Sequence, residues 1–108
     1  MDEVPGLAET AQLFKVLGNE SRLRLLHLLS EHSMTVGALI EATGMSQPLV
    51  SQHLRTLRDA GVVVAERNGK EVGYELADAH VSHVIADALV HAREPIAAEL
   101  AANHPERH

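Results

Sequence analysis

The sequence predicts a mainly α-helical fold with one small β-hairpin. Apolar residues make up 45% of the 108 residues but aromatic residues only 2%, so the core must be aliphatic, which suits closely packed helices. Leucine recurs at helical spacing through most of the first 60 residues. Residues 62–76 instead carry β-branched side chains around an Asn-Gly pair, a pattern typical of a hairpin.

Two helices are predicted before residue 30. Residues 7–17 place apolar side chains at helical spacing, and Gly18 with Asn19 then interrupts the pattern. The leucine-rich stretch that follows has a broad apolar face, and Asn19 can cap its first turn. These residues therefore predict two helices separated by a short break.

A short helix and a longer one are predicted over about residues 35–60. Thr35 begins the short helix, and Gly44 makes the tight turn that ends it. Ser46 caps the longer helix, which carries leucine and valine along one side, and Gly61 ends it. Two helices joined by a tight turn are typical of a helix-turn-helix unit.

A hairpin and a final helix complete the chain. Residues 62–76 predict two antiparallel strands, with the Asn-Gly pair at the centre of the RNGK turn. Residues 78 to about 102 return to helical spacing, although Pro95 disfavours helical geometry at Glu94 and can kink the helix. The order of elements predicts a single winged helix-turn-helix domain over residues 1–108.

The distribution of charge qualifies the formal net charge of −6. An acidic chain by itself argues against nucleic acid, because phosphate binding depends on Lys and Arg. Residues 46–70 nevertheless carry four basic and two acidic side chains, against three and six in residues 1–45 and two and seven in residues 71–108. The positive segment therefore coincides with the helix-turn-helix and the hairpin.

The composition also excludes several classes of protein and site. The chain has no cysteine, so disulfides and thiolate metal sites are excluded, and any metal must be held by nitrogen and oxygen atoms. No apolar run approaches the roughly 20 residues that span a bilayer, and the acidic start MDEVPGLAE is unlike a signal peptide. We therefore expect a cytoplasmic protein with no membrane partner.

The second helix of the helix-turn-helix is expected to read DNA in the major groove. Gln suits adenine, Arg suits guanine, and Ser adapts to a base or a phosphate. Its polar side chains are predicted to lie opposite the leucines or at the start of the helix, and two basic residues flank the hairpin tip. The predicted contacts to double-stranded operator DNA are Ser46, Gln47, Ser51, Gln52, His53, Arg55, Arg67 and Lys70. An ordinary exposed polar surface is the alternative explanation.

The stretches LFKVLGNESRLRLLHLLSE and MSQPLVSQHLRTLRDAGVVVAERNGKEVGYEL resemble the ArsR/SmtB family of bacterial repressors, over about residues 10–95. The SQPLVSQHL helix, followed by a glycine-bearing wing and a tyrosine strand, is the specific part of the resemblance. It implies a homodimer formed through the first and last helices, whose two recognition helices address a palindromic operator. It also implies repression that an inducer lifts, but family members place their inducer sites on different helices.

The segment DAHVSHVIADALVHARE, residues 78–94, places a stripe of histidines and acidic residues beside an apolar face. His80 and His91 lie on nearly the same side of a helix, but they are eleven positions apart, over which a helix rises about 16 Å. A zinc–nitrogen bond is only about 2 Å long, so one straight helix cannot bring both histidines to one ion. Two helices packed antiparallel across a dimer axis can do so, because the start of one lies beside the end of the other.

The predicted ligands are therefore Asp78 and His80 of one subunit with His91 and Glu94 of the partner subunit. Their order, D-x-H and then, after ten intervening residues, H-x-x-E, resembles the zinc-sensing motif on the last helix of the cyanobacterial-type zinc sensors of the family. The resemblance implies zinc as cofactor and a metal-responsive repressor that metal releases from its operator. It also implies a hydrogen bond from the second histidine to a backbone carbonyl near the end of the recognition helix, at Gly61 or its neighbours.

Several alternatives remain open from the sequence. Asp78 can be simply a helix cap, and His83 with Asp87 lies on the same stripe, although both are expected outside the zinc ligands. Nickel or cobalt favours six ligands and can use the same helix together with His104 and His108, and a repressor with a non-metal inducer is a further possibility. A metallohydrolase is disfavoured, because four protein ligands leave no open position on the metal. We therefore expect neither an enzyme nor a small-molecule substrate.

Overall fold

The computed structural model of the protein describes residues 4–95. Within that range the elements are α1 Leu7–Leu17, α2 Glu20–Leu29, β1 Met34–Thr35, α3 Val36–Thr43, α4 Gln47–Asp59, β2 Val63–Asn68, β3 Glu71–Leu76 and α5 Ala79–Arg93. The predicted mainly α-helical class and the order of the helices are confirmed. The expected continuation of the last helix to about residue 102, together with His104 and His108, lies outside the described residues.

The predicted caps of the first helices are confirmed. The Asn19 side chain accepts a hydrogen bond from the backbone N–H of Arg22 at 3.0 Å, at the start of α2. Thr35 makes the equivalent bond at the start of α3, and Ser46 accepts from the N–H of Leu49 at 3.3 Å at the start of α4. Each cap satisfies one N–H group that the first turn of a helix leaves without an internal partner.

The core lies where α2, α3, α4, the sheet and α5 meet. Its fully buried side chains are Leu25, Leu26, Leu39, Val50, Leu54, Leu57 and Val62. Complete burial of one such side chain stabilises the fold by about 1.5–3 kcal/mol. Because Val50, Leu54 and Leu57 all belong to α4, this helix is anchored along its length, and its opposite face is left at the surface.

The sheet has one strand more than the two predicted. The two-residue strand β1 pairs antiparallel with β3, with Met34 opposite Tyr74 and Thr35 opposite Gly73, and the strand order is β1-β3-β2. Two residues are too few to show an alternating pattern, and Thr35 also caps α3. The additional strand joins the hairpin to the helices through β3, which leaves β2 at the outer edge of this sheet.

The hairpin turn is shifted by one residue from the prediction. Asn68 pairs with Glu71, so the two turn residues are Gly69 and Lys70, and a turn centred on the Asn-Gly pair is wrong. Gly69 has a φ of 68°, whereas no residue other than glycine has a positive φ between residues 4 and 95. A type I′ turn centred on Asn68 would require positive φ at that residue too, whereas glycine followed by another residue suits type II′.

The last helix begins and is interrupted where the sequence predicts. Asp78 accepts a hydrogen bond from the backbone N–H of Val81 at 3.0 Å and so caps α5. At Glu94 the backbone is extended, with φ −71° and ψ 116°, because the ring of Pro95 disfavours helical geometry at the preceding residue. No helix among the described residues is both long and apolar enough to cross a membrane.

Candidate nucleic-acid interface and metal site

The face of α4 that points away from the core is polar. Five of the predicted DNA-contacting residues are exposed on this helix or at its cap: Ser46, Gln47, Ser51, Gln52 and Arg55. Gln47, Ser51 and Arg55 follow one another at a spacing of four residues, so they lie along one side of the helix. The face can therefore offer amide, hydroxyl and guanidinium groups together, which are the groups that hydrogen-bond to base edges in the major groove.

The N-terminus of α4 adds an electrostatic contribution to this face. The first turn contains Pro48 but no acidic residue, so no side chain of that turn neutralises the positive end of the helix dipole. Backbone N–H groups at a helix N-terminus favour a phosphate for the same reason. The start of α4 can thus contact the DNA backbone while the following turns contact bases.

His53 does not belong to this exposed face, and the structure corrects the prediction that it contacts DNA. The side chain is only 9% exposed. Its position, three residues after Val50 and next to Leu54, places it on the core side of the helix. The ring contacts Arg22 instead, whose Nε donates to His53 Nδ1 at 3.4 Å.

Arg22 is a residue that the sequence reasoning missed. Its Nη1 donates to the backbone oxygen of Val16 at 2.7 Å, in addition to the bond from Nε to His53. Burial lowers the pKa of His53, and the positive charge of Arg22 lowers it further. Because Nδ1 accepts the bond, the neutral ring carries its proton on Nε2. In the sequence, an arginine within a leucine-rich helix was the only sign of this contact, because the partner residue His53 lies 31 residues further along the chain.

The hairpin places basic side chains at its tip. Arg67 and Lys70 are exposed there, as expected, with Lys70 inside the turn itself. The Nη1 of Arg67 makes one long hydrogen bond, at 3.5 Å, to the backbone oxygen of Gly69. The other N–H groups of the guanidinium can still donate to a phosphate. Arg58, which was not among the predicted contacts, is also exposed near the end of α4. Arg58 is one of the four basic residues of the positive segment 46–70, and the positive charge of that segment was the signal that could have identified it.

The four predicted metal ligands lie at the two ends of α5. Asp78 and His80 stand at its start, with Asp78 Oδ1 and His80 Nδ1 3.8 Å apart, and His91 and Glu94 stand at its end. All four are exposed, as are His83 and Asp87 between them. No group of three or more potential ligands comes together within residues 4–95 of one chain. Of the predicted ligands, the described part of one chain therefore brings Asp78 and His80 together, and His91 and Glu94 lie at the other end of the helix.

The pair at the start of α5 adjoins the end of the recognition helix. A cavity of about 350 Å³ is lined by Asp78 and His80 together with Glu9 of α1 and residues 60–62. The N–H of Ala77 also donates to the backbone oxygen of Val62 at 2.9 Å. The predicted half-site is thus connected through one backbone hydrogen bond to the segment that directly follows α4.

A larger apolar groove lies between α5 and the first two helices. It has a volume of about 610 Å³, and its lining includes Phe14, Leu23, Val84 and Leu89. Phe14 is 56% exposed and Val84 40% exposed. Contiguous apolar surface of this kind is unusual on a small soluble domain and typical of an interface. The groove includes residues of α1 and α5, the first and last helices, which the family resemblance implies as the dimer interface.

Comparison with known proteins agrees with this architecture. The family model for bacterial regulatory proteins of the arsR family matches residues 19–64. The chain is 43% identical over 88 residues to the HTH-type transcriptional repressor SmtB of Mycobacterium tuberculosis. The aligned region covers 82% of this chain but only 65% of SmtB. It is also 38% identical over 98 residues to the HTH-type transcriptional regulator NmtR of the same species. This aligned region covers 91% of this chain and 81% of NmtR.

The fold has a similar solved counterpart. The solution structure of a homodimeric winged helix-turn-helix DNA-binding domain from Mycobacterium bovis, described as a possible ArsR-family transcriptional regulator, has a TM-score of 0.78 at 32% identity. The similarity covers 88% of this chain and 91% of that domain. These relatives are regulators, which agrees with the prediction that the chain is not an enzyme. The fold and the extent of these similarities show that the protein belongs to the arsR family of bacterial regulatory proteins.

Proposed function

We propose that the protein is a dimeric, metal-responsive transcriptional repressor, which binds double-stranded operator DNA without metal and leaves it when zinc binds between the subunits. The observation that carries the proposal is the cavity in which Asp78 and His80 meet the backbone after α4. It brings half of a candidate metal site next to the helix that carries the candidate DNA-reading side chains.

The DNA-binding part of the proposal rests on α4 and the hairpin. A helix anchored by its apolar side can enter the major groove with Gln47, Ser51 and Arg55 toward the bases. Arg67 and Lys70 at the hairpin tip then reach the neighbouring phosphates or the minor groove. Two such units related by a dimer axis fit a palindromic operator.

The dimer supplies the second half of the metal site. If the apolar groove beside α5 is covered by a second copy, the two α5 helices run antiparallel, and the end of one lies beside the start of the other. His91 and Glu94 of the partner subunit then approach Asp78 and His80. Two imidazole and two carboxylate groups suit a four-coordinate zinc ion, and their exposure in one chain leaves them free to bind it.

The route from metal to DNA is short. Asp78 follows Ala77, whose N–H bonds to the oxygen of Val62, so a shift of the start of α5 acts on the segment after α4. The family resemblance implies a second link, from the imidazole of His91 of the partner subunit to a carbonyl near Gly61. A typical coupling free energy of about 1–3 kcal/mol lowers DNA affinity by about 5–150-fold.

Fluorescence anisotropy tests the proposal directly. The probe is the tightest palindromic duplex that the metal-free protein selects from a randomised library, measured with chelator and then with zinc. Zinc should weaken the binding of wild type at least about fivefold and should have no effect on His91→Ala, because each site loses one of its four ligands. His83→Ala is the matched control, since it removes an exposed histidine from the same helix and should respond like wild type.

Three outcomes would contradict parts of the proposal. If no duplex is selected, the protein is not a sequence-specific repressor. If no metal changes the affinity of wild type for the duplex, the alternative of a repressor with a non-metal inducer would be favoured. A larger response to nickel or cobalt than to zinc would favour the six-coordinate alternative, in which the same helix acts together with His104 and His108.

A further inference from the structure

We propose that Arg22 is a positioning residue that sets the orientation of the recognition helix α4, by joining His53 to the end of α1. The inference rests on the DNA binding proposed above and adds a residue outside the DNA interface on which the affinity depends. Arg22 contacts neither the candidate metal ligands nor the exposed face of α4, so its role is separate from both.

The arginine is held at several points. Its backbone N–H bonds to the Asn19 cap at 3.0 Å, and its Nη1 bonds to the oxygen of Val16 at 2.7 Å. The remaining contact of the guanidinium group is the bond from Nε to His53 Nδ1. One half-buried side chain therefore connects the last turn of α1, the first turn of α2 and the middle of α4.

His53 lies directly behind the side chains that are proposed to read DNA. It adjoins Gln52 in sequence and shares a helical turn with Ser51 and Arg55. Side-chain tips lie about 5 Å from the helix axis, so a rotation of α4 by about 20° moves them by about 2 Å. That displacement exceeds what a direct hydrogen bond to a base tolerates. A contact that fixes the rotation of α4 therefore acts on base reading.

The chemistry of the contact explains a histidine at this position. Val50, Leu54 and Leu57 surround it on the same helix, so packing alone would suit an apolar residue. The ring adds a hydrogen-bond acceptor that faces Arg22, and no buried side-chain nitrogen or oxygen is left without a partner in residues 4–95. Loss of the guanidinium would leave a buried acceptor unpaired, and α4 would lose this restraint.

The contact also requires a neutral ring. A protonated His53 would have no acceptor at Nδ1 and would place a second positive charge 3.4 Å from the Arg22 Nε. The elements packed against α4 include α2, α3 and β2. The other charged or titratable residues of these three elements are exposed, namely Glu20, Arg24, His27, Glu41, Glu66 and Arg67, so Arg22 of α2 is the charged group that faces the ring.

The test compares the affinity of variants of the full chain for the selected palindromic duplex, without metal. Arg22→Gln and His53→Leu should each weaken binding by about tenfold, which corresponds to the loss of one charged hydrogen bond. The double variant should lose no more than either single variant, because both remove the same contact. Lys15→Gln removes the same charge from an exposed position of α1 outside the groove and should stay within about twofold of wild type.

His53→Asn separates positioning from general stability. Asparagine keeps a side-chain acceptor near the position of Nδ1 but cannot be protonated, so its affinity should stay close to that of wild type at neutral pH. Because the pKa of His53 is lowered below 6.5, wild type should lose affinity relative to His53→Asn only as the pH falls below that value, where the histidine ring becomes protonated. Because the two proteins differ only at residue 53, the ratio of their affinities reports the change at this residue.

Circular dichroism shows which variants are folded at the temperature of the assay. Wild-type affinity in folded Arg22→Gln and His53→Leu, or additive losses in the double variant, would overturn the positioning role. Should Arg22→Gln not fold, the comparison of His53→Leu with His53→Asn decides, because only the former lacks an acceptor. Failure of wild type to select any duplex overturns the proposed function instead, so the two failures are distinguishable.

Discussion

At the scale of single residues, α4 carries polar side chains on two different sides. The exposed polar residues Gln47, Ser51 and Arg55 lie where the sequence places them, on the side of α4 opposite the core. The polarity of His53 predicts the same exposed face, but its side chain is buried against Arg22. Its spacing from Val50 and Leu54 indicates the core side, and for this residue spacing was the better guide.

The pKa of His53 leads to a prediction about stability. Burial and the charge of Arg22 lower the pKa in the folded state below the ordinary value of 6.5, so between the two values the unfolded chain binds more protons. The free energy of unfolding should therefore fall as the pH decreases from about 6.5 toward the folded-state pKa. Urea denaturation at about pH 7.5 and 5.5 and constant protein concentration should show a larger fall for wild type than for His53→Asn. An equal fall in both proteins would contradict a lowered pKa.

At the scale of elements, local signals were sufficient for the helices and not for the sheet. Caps at Asn19, Thr35, Ser46 and Asp78 are bonds between residues three apart in sequence, so the sequence could indicate each of them. The pairing of β1 with β3 and the register of the hairpin depend on strands that meet only in the folded chain. The extra strand and the shifted turn were therefore not predictable from local pattern.

Asp78 provides a prediction for α5, because it combines a cap with a proposed zinc ligand. Asp78→Ala should lower the free energy of unfolding by about 1 kcal/mol, since the N–H of Val81 loses its acceptor. Asp78→Asn keeps a capping oxygen and should leave stability almost unchanged. Both variants should weaken zinc binding by about tenfold or more, because both lose the carboxylate.

Urea denaturation with chelator measures the capping effect of these two variants, and competition with a zinc indicator measures their zinc affinity. His83→Ala again serves as the matched control on the same helix. Zinc affinity of Asp78→Asn equal to that of wild type would remove Asp78 from the ligand set, while the capping role would remain.

At the scale of the whole molecule, the apolar groove between α5 and the first two helices predicts the oligomeric state. Phe14 lines this groove and is 56% exposed in one chain. Phe14→Glu should convert a dimer into a monomer and should weaken binding to the palindromic duplex, because a monomer engages one half of the site at a time. Sedimentation equilibrium measures the change of mass.

Val64→Glu is the matched control for this prediction. Val64 is 43% exposed on β2 and lies outside the groove, so the same charge introduced there should leave the protein dimeric. A monomeric wild type, or a dimeric Phe14→Glu variant, would show that the groove is not the dimer interface.

The sequence by itself determined the helical elements, their caps and the candidate ligands of the metal site. These features depend on side-chain type and on spacings of a few residues, which are visible without a fold. It also showed that His80 and His91 stand too far apart on one helix to share an ion. Only the tertiary structure decided which elements meet. It joined Arg22 to His53, β1 to β3, and the start of α5 to the end of α4, because contacts between distant residues depend on how the helices pack.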